Sequence, residues 1–182
     1  MSQLNEAIKF VKMTESDVPR VAAMVVETFE KAVLDALGEE KAAMQREAFG
    51  DDALAAMVFG EGMDAYIVEI DGVESGIAAV KGNPAEQFYS LELFSISQKH
   101  HSRGIGLRVW NELEKLYPDA KTWETTTPTF ALKNVNFYVN KCKFHIVELL
   151  DMDKIAKETG EENPYAGAED FRFNFRFQKV MK

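Results

Sequence analysis

Three strand-patterned runs follow one another between Asp64 and Ser97 with only tight turns between them, and this constrains the fold more than any other feature. Asp64 to Ile70 and Val73 to Lys81 flank Asp71-Gly72, a dipeptide suited to a two-residue hairpin. Gly82-Asn83-Pro84 supplies a second turn, and Gln87 to Ser97 reads as a third, long strand. Consecutive strands joined this tightly must pair antiparallel. A doubly wound parallel sheet is excluded, because it alternates strands with helices.

The flanking sequence adds helices and further strands. Ile8 to Thr14 alternates apolar and polar residues as a half-buried strand does. Glu15-Ser16-Asp17 is a helix-start signal with Pro19 in the first turn, followed by Val18, Val21, Ala22, Val25, Phe29, Ala32 and Val33 at helical spacing. Gly38 ends this helix, and a second helical stretch runs from Glu39 to Phe59 with a break near Gly50. Beyond the third strand a helix opens at Gly104-Ile105-Gly106 and ends at Tyr117 before Pro118-Asp119. Lys121 to Thr127 reads as strand, Phe130 to Cys142 as helix and Phe144 to Leu150 as strand. Glu158 to Ala168 reads as loop, and the strict alternation Phe171 to Phe177 as a strand with an aromatic face. The expected fold is α/β (α+β), a mixed and mostly antiparallel sheet flanked by helices, in one domain spanning 1–182.

Composition narrows the function. The chain has 30 acidic against 21 basic residues, a net charge of -9, which disfavours a nucleic-acid surface and mildly favours a cationic substrate. Cys142 is the sole cysteine, so neither an internal disulfide nor a multi-cysteine metal site is expected, and no metal is assigned. No run is long and apolar enough for a membrane span, and MSQLNEAIKF lacks the pattern of a secretory signal, so a cytoplasmic protein is expected. Trp110, Trp123 and Cys142 are read as core residues.

The segment with chemical content is Leu93 to Leu107, in which a strand leads into a glycine turn that opens a helix. Glycines allow close backbone approach, and a helix start offers unpaired N–H groups and a positive dipole end, so the turn suits a phosphate or pyrophosphate. Arg103 adds a formal charge beside it. Neither the full G-x-G-x-x-G fingerprint nor a P-loop is present, since position 109 is Val and no G-K-[ST] follows.

His101-Ser102-Arg103-Gly104-Ile105-Gly106 resembles the [Q/R]-x-x-G-x-[G/A] acetyl-CoA motif of the GNAT superfamily, with His101 at the motif's first position. Lys133 to Phe144 is similar to the superfamily's second signature, roughly N-x-x-F-Y-x-(x)-K-x-G-F. Two differences stand there: Lys143 replaces the glycine, and Tyr138 to Phe144 is one residue longer than the commonest spacing. The order of elements matches from Ile8 to Lys179. The resemblance implies an acetyl-CoA-dependent N-acetyltransferase acting on a primary amine, with a small molecule preferred as acceptor. A protein or peptide amine, or a non-catalytic CoA-binding regulatory module, is the alternative.

The resemblance also implies roles for residues. Phe94 and Ile96 would offer backbone groups to the pantetheine, while His101, Arg103, Gly104, Ile105, Gly106 and Leu107 would line the pyrophosphate. Asn134 would contact the cofactor arm, and Tyr138 would protonate the departing thiolate. Glu92 is the candidate base, although the superfamily's usual acidic position lies nearer Ser90. His100 is read as exposed and inert. Acceptor pockets in such proteins come from the first helices, here Glu15 to Phe59, and from a loop, here Glu158 to Ala168. Many members dimerise through C-terminal strands, so a homodimer is expected.

Overall fold

The computed structural model describes residues 7–97, 99 and 104–182. Strand β1 spans Ile8–Lys12, and a single 3₁₀ turn at Glu15–Asp17 leads into α1 at Val18–Leu37. Helices α2 (Glu39–Ala48) and α3 (Asp51–Val58) follow, separated at Gly50 as the sequence indicates. Then come β2 (Met63–Ile70), β3 (Val73–Asn83) and β4 (Phe88–Ile96), with α4 at Ile105–Lys115 and β5 at Thr122–Pro128. The rest comprises α5 (Leu132–Asn136), a π-helical turn (Phe137–Lys141), β6 (His145–Asp151), α6 (Met152–Thr159), α7 (Glu169–Arg172) and β7 (Phe173–Val180).

The strands form one seven-stranded sheet in the order β1-β2-β3-β4-β5-β7-β6. Every neighbouring pair is antiparallel except β4 and β5, which run parallel because α4 carries the chain back across the sheet. Asp71 and Gly72 both take positive φ, 53° and 78°, as the expected hairpin turn requires. One face of the sheet is covered by α4 and the α5 segment, with Trp110, Trp123, Phe144 and Phe177 in its core. The other face is covered by α1 and α3, where Val21, Val25, Leu54 and Val58 pack on Ile67, Ile77 and Leu93. Cys142 is buried within the first core, as read from the sequence.

Several expectations need correction. The turn placed at Gly82-Asn83-Pro84 begins later, because β3 continues through Asn83, paired to Phe88. Ala32, assigned to the apolar stripe of α1, is exposed. Phe171 and Arg172 are not in the C-terminal strand: they form α7, where Phe171 stacks on Tyr165 with ring centroids 4.5 Å apart. Glu158 and Thr159 close α6 rather than opening a loop. Strand β7 is also internal to the sheet. The edge beside it is β6, where Ile146, Val147 and Leu149 are 45%, 47% and 56% exposed.

The extra residue between Tyr138 and Phe144 has a structural counterpart. The turn at Phe137–Lys141 is π-helical, closed by the Cys142 amide donating to the Phe137 carbonyl at 3.0 Å. A π turn takes up one inserted residue without shifting the elements on either side. Lys143 then adopts φ 67°, the left-handed conformation glycine would supply, at a cost of about 1–2 kcal/mol.

Candidate active site

Strand β4 switches phase at Glu92. Ala79 of β3 pairs with Leu93 and Val80 with Leu91, so Glu92 is the extra residue of a β-bulge. Leu91 consequently faces the α4 core while Leu93 faces the α1 core, although two residues apart in an unbroken strand would share a face. The sequence carries a trace of this: the apolar positions Tyr89, Leu91 and Leu93 give way to Phe94 and Ile96.

The bulge coincides with a parting of strands. The ladder between β4 and β5 runs from Phe88↔Thr122 to Leu91↔Thr125 and stops, while β4 continues to Ile96 and β5 to Pro128. Thr125 marks the point of divergence by donating its hydroxyl proton to the Leu91 carbonyl at 2.9 Å. Ser97 N–H donates to Ser75 O at 2.7 Å, so by the two-residue period of the ladder the backbone groups of Phe94 and Ile96 are directed to the opposite, β5, side.

A cavity of about 390 Å³ opens in this wedge. Glu92, Leu93 and Phe94 line it from β4, and Thr125 to Pro128 from β5. Helices α1 to α3 contribute Phe29, Val33, Gln45 and Met57, the link between α2 and α3 contributes Phe49, and the segment after α6 contributes Glu161 to Tyr165. Tyr165 donates its hydroxyl proton to Gln45 Oε1 at 2.8 Å, which ties this segment to α2.

Four of the sequence-assigned residues meet at the cavity: Tyr138, Glu92, Phe94 and Asn134. Glu92 is exposed on the bulge. Asn134 donates from Nδ2 to Thr127 Oγ1 at 3.3 Å. Tyr138 is 7% exposed, with its ring against Phe144 and Phe177. Burial first, and the neighbouring Cys142 next, push the Tyr138 phenol above the ordinary tyrosine range, so the proton stays on at neutral pH. The Thr125 side chain beside its hydroxyl draws the phenol down, the smallest of the influences on it.

The start of α4 lies outside the cavity lining but connects to it. Gly104 caps the helix in the left-handed region at φ 70°. The amides of Ile105, Gly106 and Leu107 precede the first helical bond, Arg108 N–H to Gly104 O at 3.2 Å, and so belong to the anion-favouring end of the helix. A Cβ at Gly106 would stand 3.4 Å from the Phe137 ring, and Phe137 stacks on Phe94 with centroids 6.0 Å apart. One surface therefore runs from the first turn of α4 across Phe137 and Phe94 to the cavity. Ile105 itself is buried in the α4 core. His101 and Arg103, with Gln98, His100 and Ser102, lie outside the described residues.

Gln45, Tyr165 and Thr125 were not singled out from sequence. Their hydrogen bonds span 120 residues for Gln45–Tyr165 and 34 for Thr125–Leu91, separations that local patterns do not report. Among the described residues no group of three or more His, Cys, Asp or Glu side chains could hold a metal ion, and no helix is long and apolar enough to cross a membrane.

The buried acids around this core give a pH dependence. Burial pushes the Cys142 thiol up to about 12, and burial with the Asp119 carboxylate pushes Tyr89 up to about 12. Tyr117 and Tyr165 move in the same direction, again chiefly through burial. The folded state holds these protons more tightly than the unfolded chain. Their contribution is therefore complete below about pH 9 and is lost as pH rises towards 12. Urea denaturation at pH 8 and pH 11 should show a loss on the order of 3 kcal/mol. Equal stability at the two pH values would contradict this.

The mixed seven-stranded sheet, with its helices on both faces, has the fold of solved N-acetyltransferase structures. The chain's sequence places it with the uncharacterized protein YrkN of Bacillus subtilis strain 168, to which it is 37% identical over 176 residues, 92% of this chain and 90% of that protein. No family model matches the chain. Among solved structures, the PaiA N-acetyltransferase of Thermoplasma acidophilum in complex with coenzyme A is similar at TM-score 0.66 and 14% identity, covering 96% of this chain and 99% of that one. A GCN5-related N-acetyltransferase from Rhodopseudomonas palustris gives TM-score 0.66 and 18% identity, covering 100% and 99%. The Escherichia coli ribosomal-protein-S18-alanine N-acetyltransferase gives TM-score 0.63 and 11% identity, covering 97% and 95%.

Proposed function

We propose that the chain is an acetyl-CoA-dependent N-acetyltransferase whose acceptor is the primary amine of a small molecule. The observation that carries this reading is the cavity at the parting of β4 and β5, with Tyr138 in its wall and the backbone of Phe94 directed into the opening. A strand edge left without a ladder partner is suited to an extended, amide-bearing ligand, which hydrogen-bonds it as an added strand would. The pantetheine arm is such a ligand, and the first turn of α4, with Gly104 to Leu107, suits its pyrophosphate. Acetyl-CoA would supply an acyl thioester already activated for transfer.

The chain's own residues then have distinct tasks. The β4 edge and Asn134 orient the thioester arm. Tyr138 keeps a proton at its hydroxyl because of its burial and delivers it to the leaving sulfur. Glu92 on the bulge offers a carboxylate to the acceptor ammonium and takes its proton. Assembly as a homodimer through β6 fits the exposed Ile146, Val147 and Leu149 on that edge. A monomer mass by light scattering would count against this.

Calorimetric titration with acetyl-CoA tests the central claim. Saturable binding is expected, with a stabilisation of about 2.7 kcal/mol at a hundredfold excess over Kd. Absence of binding at about 1 mM ligand would remove the reading, since cellular acyl donors act at or below this scale. Glycine variants at the α4 start are a weaker test. Gly104 is held at φ 70°, so a side chain there strains the backbone as well as hindering a ligand, whereas a Cβ at Gly106 meets Phe137 only at contact distance.

A further inference from the structure

We infer that the acceptor is a primary amine carrying an apolar, ring-sized body and no carboxylate, an arylalkylamine in chemical class; this rests on the acetyltransferase reading above. Two properties of the cavity lead there.

The first is its apolar wall. Phe29, Phe49, Phe130, Tyr165 and Phe171 all line it. They come from four separate stretches of chain and are fixed by each other: Phe29–Phe49 centroids lie 5.7 Å apart, Phe130–Phe171 5.4 Å and Tyr165–Phe171 4.5 Å. A wall of locked rings rewards a flat apolar body through area burial and edge or face contacts. With the thioester arm sharing the wedge, about 390 Å³ leaves room for a small body rather than a folded protein surface.

The second property is charge. The carboxylates Glu92, Glu161 and Glu162 line the cavity, and no Lys, Arg or His does so among the described residues. None of the three carboxylates is in an ion pair with a described cation. An ammonium finds complementary charge there. A carboxylate or phosphate on the acceptor would find none and would lose its hydration against phenylalanine rings, a heavily penalised arrangement. The same wall disfavours a hydrophilic polyamine, whose methylene spacers are too thin to fill it and whose second charge must also be placed.

Three probes separate the possibilities: 2-phenylethylamine, L-phenylalanine and spermidine. Each is measured twice, by calorimetric binding without acetyl-CoA and by thiol release with it. The expected result is binding of 2-phenylethylamine, and a kcat/KM for it at least about tenfold above either competitor. In the Glu161→Gln/Glu162→Gln double variant, two exposed positions where folding is not at risk, its advantage over L-phenylalanine should shrink by about threefold or more. An unchanged ratio would overturn the charge argument. Preference for L-phenylalanine or spermidine, or acetyl-CoA binding with no response to 2-phenylethylamine in either assay, would overturn the assignment. Binding of 2-phenylethylamine without any binding of acetyl-CoA would keep the pocket assignment and remove the acetyltransferase reading instead.

Discussion

Replacing Tyr138 by Phe is expected to lower turnover by about 10²–10⁴-fold, the range of general acid catalysis, while acetyl-CoA affinity changes by no more than about twofold. The substitution keeps the ring, which packs between Phe144 and Phe177, and removes only the hydroxyl. Stability should change by no more than about 1 kcal/mol, since the ring contacts are retained. The chemistry explains why a phenol suits the task. A leaving thiolate has a conjugate acid near pKa ~8.5, and a carboxylic acid at this position would already be ionised at neutral pH. Burial raises the Tyr138 phenol further, so an alkaline limb of kcat caused by its ionisation should not begin below about pH 10. Stopped assays of wild type and Tyr138→Phe on a confirmed acceptor decide the matter. Equal turnover would assign the proton to water or another group and leave Tyr138 as a core residue.

The parts of the site visible in the sequence are those set by local chemistry. Asp71-Gly72 must turn because both residues adopt positive φ. The start of α4 is legible because a left-handed glycine and a helix dipole are both local properties. Helix α6 was equally accessible: Asp151 caps it by accepting from the Lys154 amide at 3.2 Å, and Gly160 ends it at φ 74°. The misassigned start of the last strand shows the opposite case. Phe-Arg-Phe-Asn-Phe-Arg-Phe alternates without interruption, yet Phe171 is drawn into a helical turn by Tyr165 and Phe130, contacts that no periodicity encodes. The π turn lies between these extremes. The one-residue excess before Phe144 is visible, but whether it becomes a loop or a widened helical turn depends on keeping Tyr138 beside Thr125 and Phe144 in the α4 core.

The second large effect is expected at Gly76, inside strand β3. A Gly76→Ala variant should lose about 3 kcal/mol of stability, towards the upper end of overpacking costs, and its Tm should fall by roughly 6–12 °C for a domain of this size. The reason is space rather than backbone conformation. Gly76 sits in β3 opposite Ile96. A Cβ there would stand 2.3 Å from the Ser95 carbonyl oxygen, 2.6 Å from Ile96 Cδ1 and 3.2 Å from Ile96 Cα. The Ile96 methyl can rotate away, but the Ser95 carbonyl is main chain and can yield only by moving β4. That movement falls on the length of β4 that has parted from β5, where Phe94 is directed into the cavity. Acetyl-CoA affinity should therefore drop in the same variant, coupling a core substitution to the binding edge. Gly50→Ala is the control, since a Cβ at Gly50 meets nothing within 4 Å and its φ of -118° is open to any residue. Its cost should stay below about 1 kcal/mol. Calorimetric melting of the two variants beside wild type reads both effects. A Gly76→Ala protein that melts with the control would mean that β4 moves aside freely, and that the register of β3 on β4 does not hold the binding edge in place.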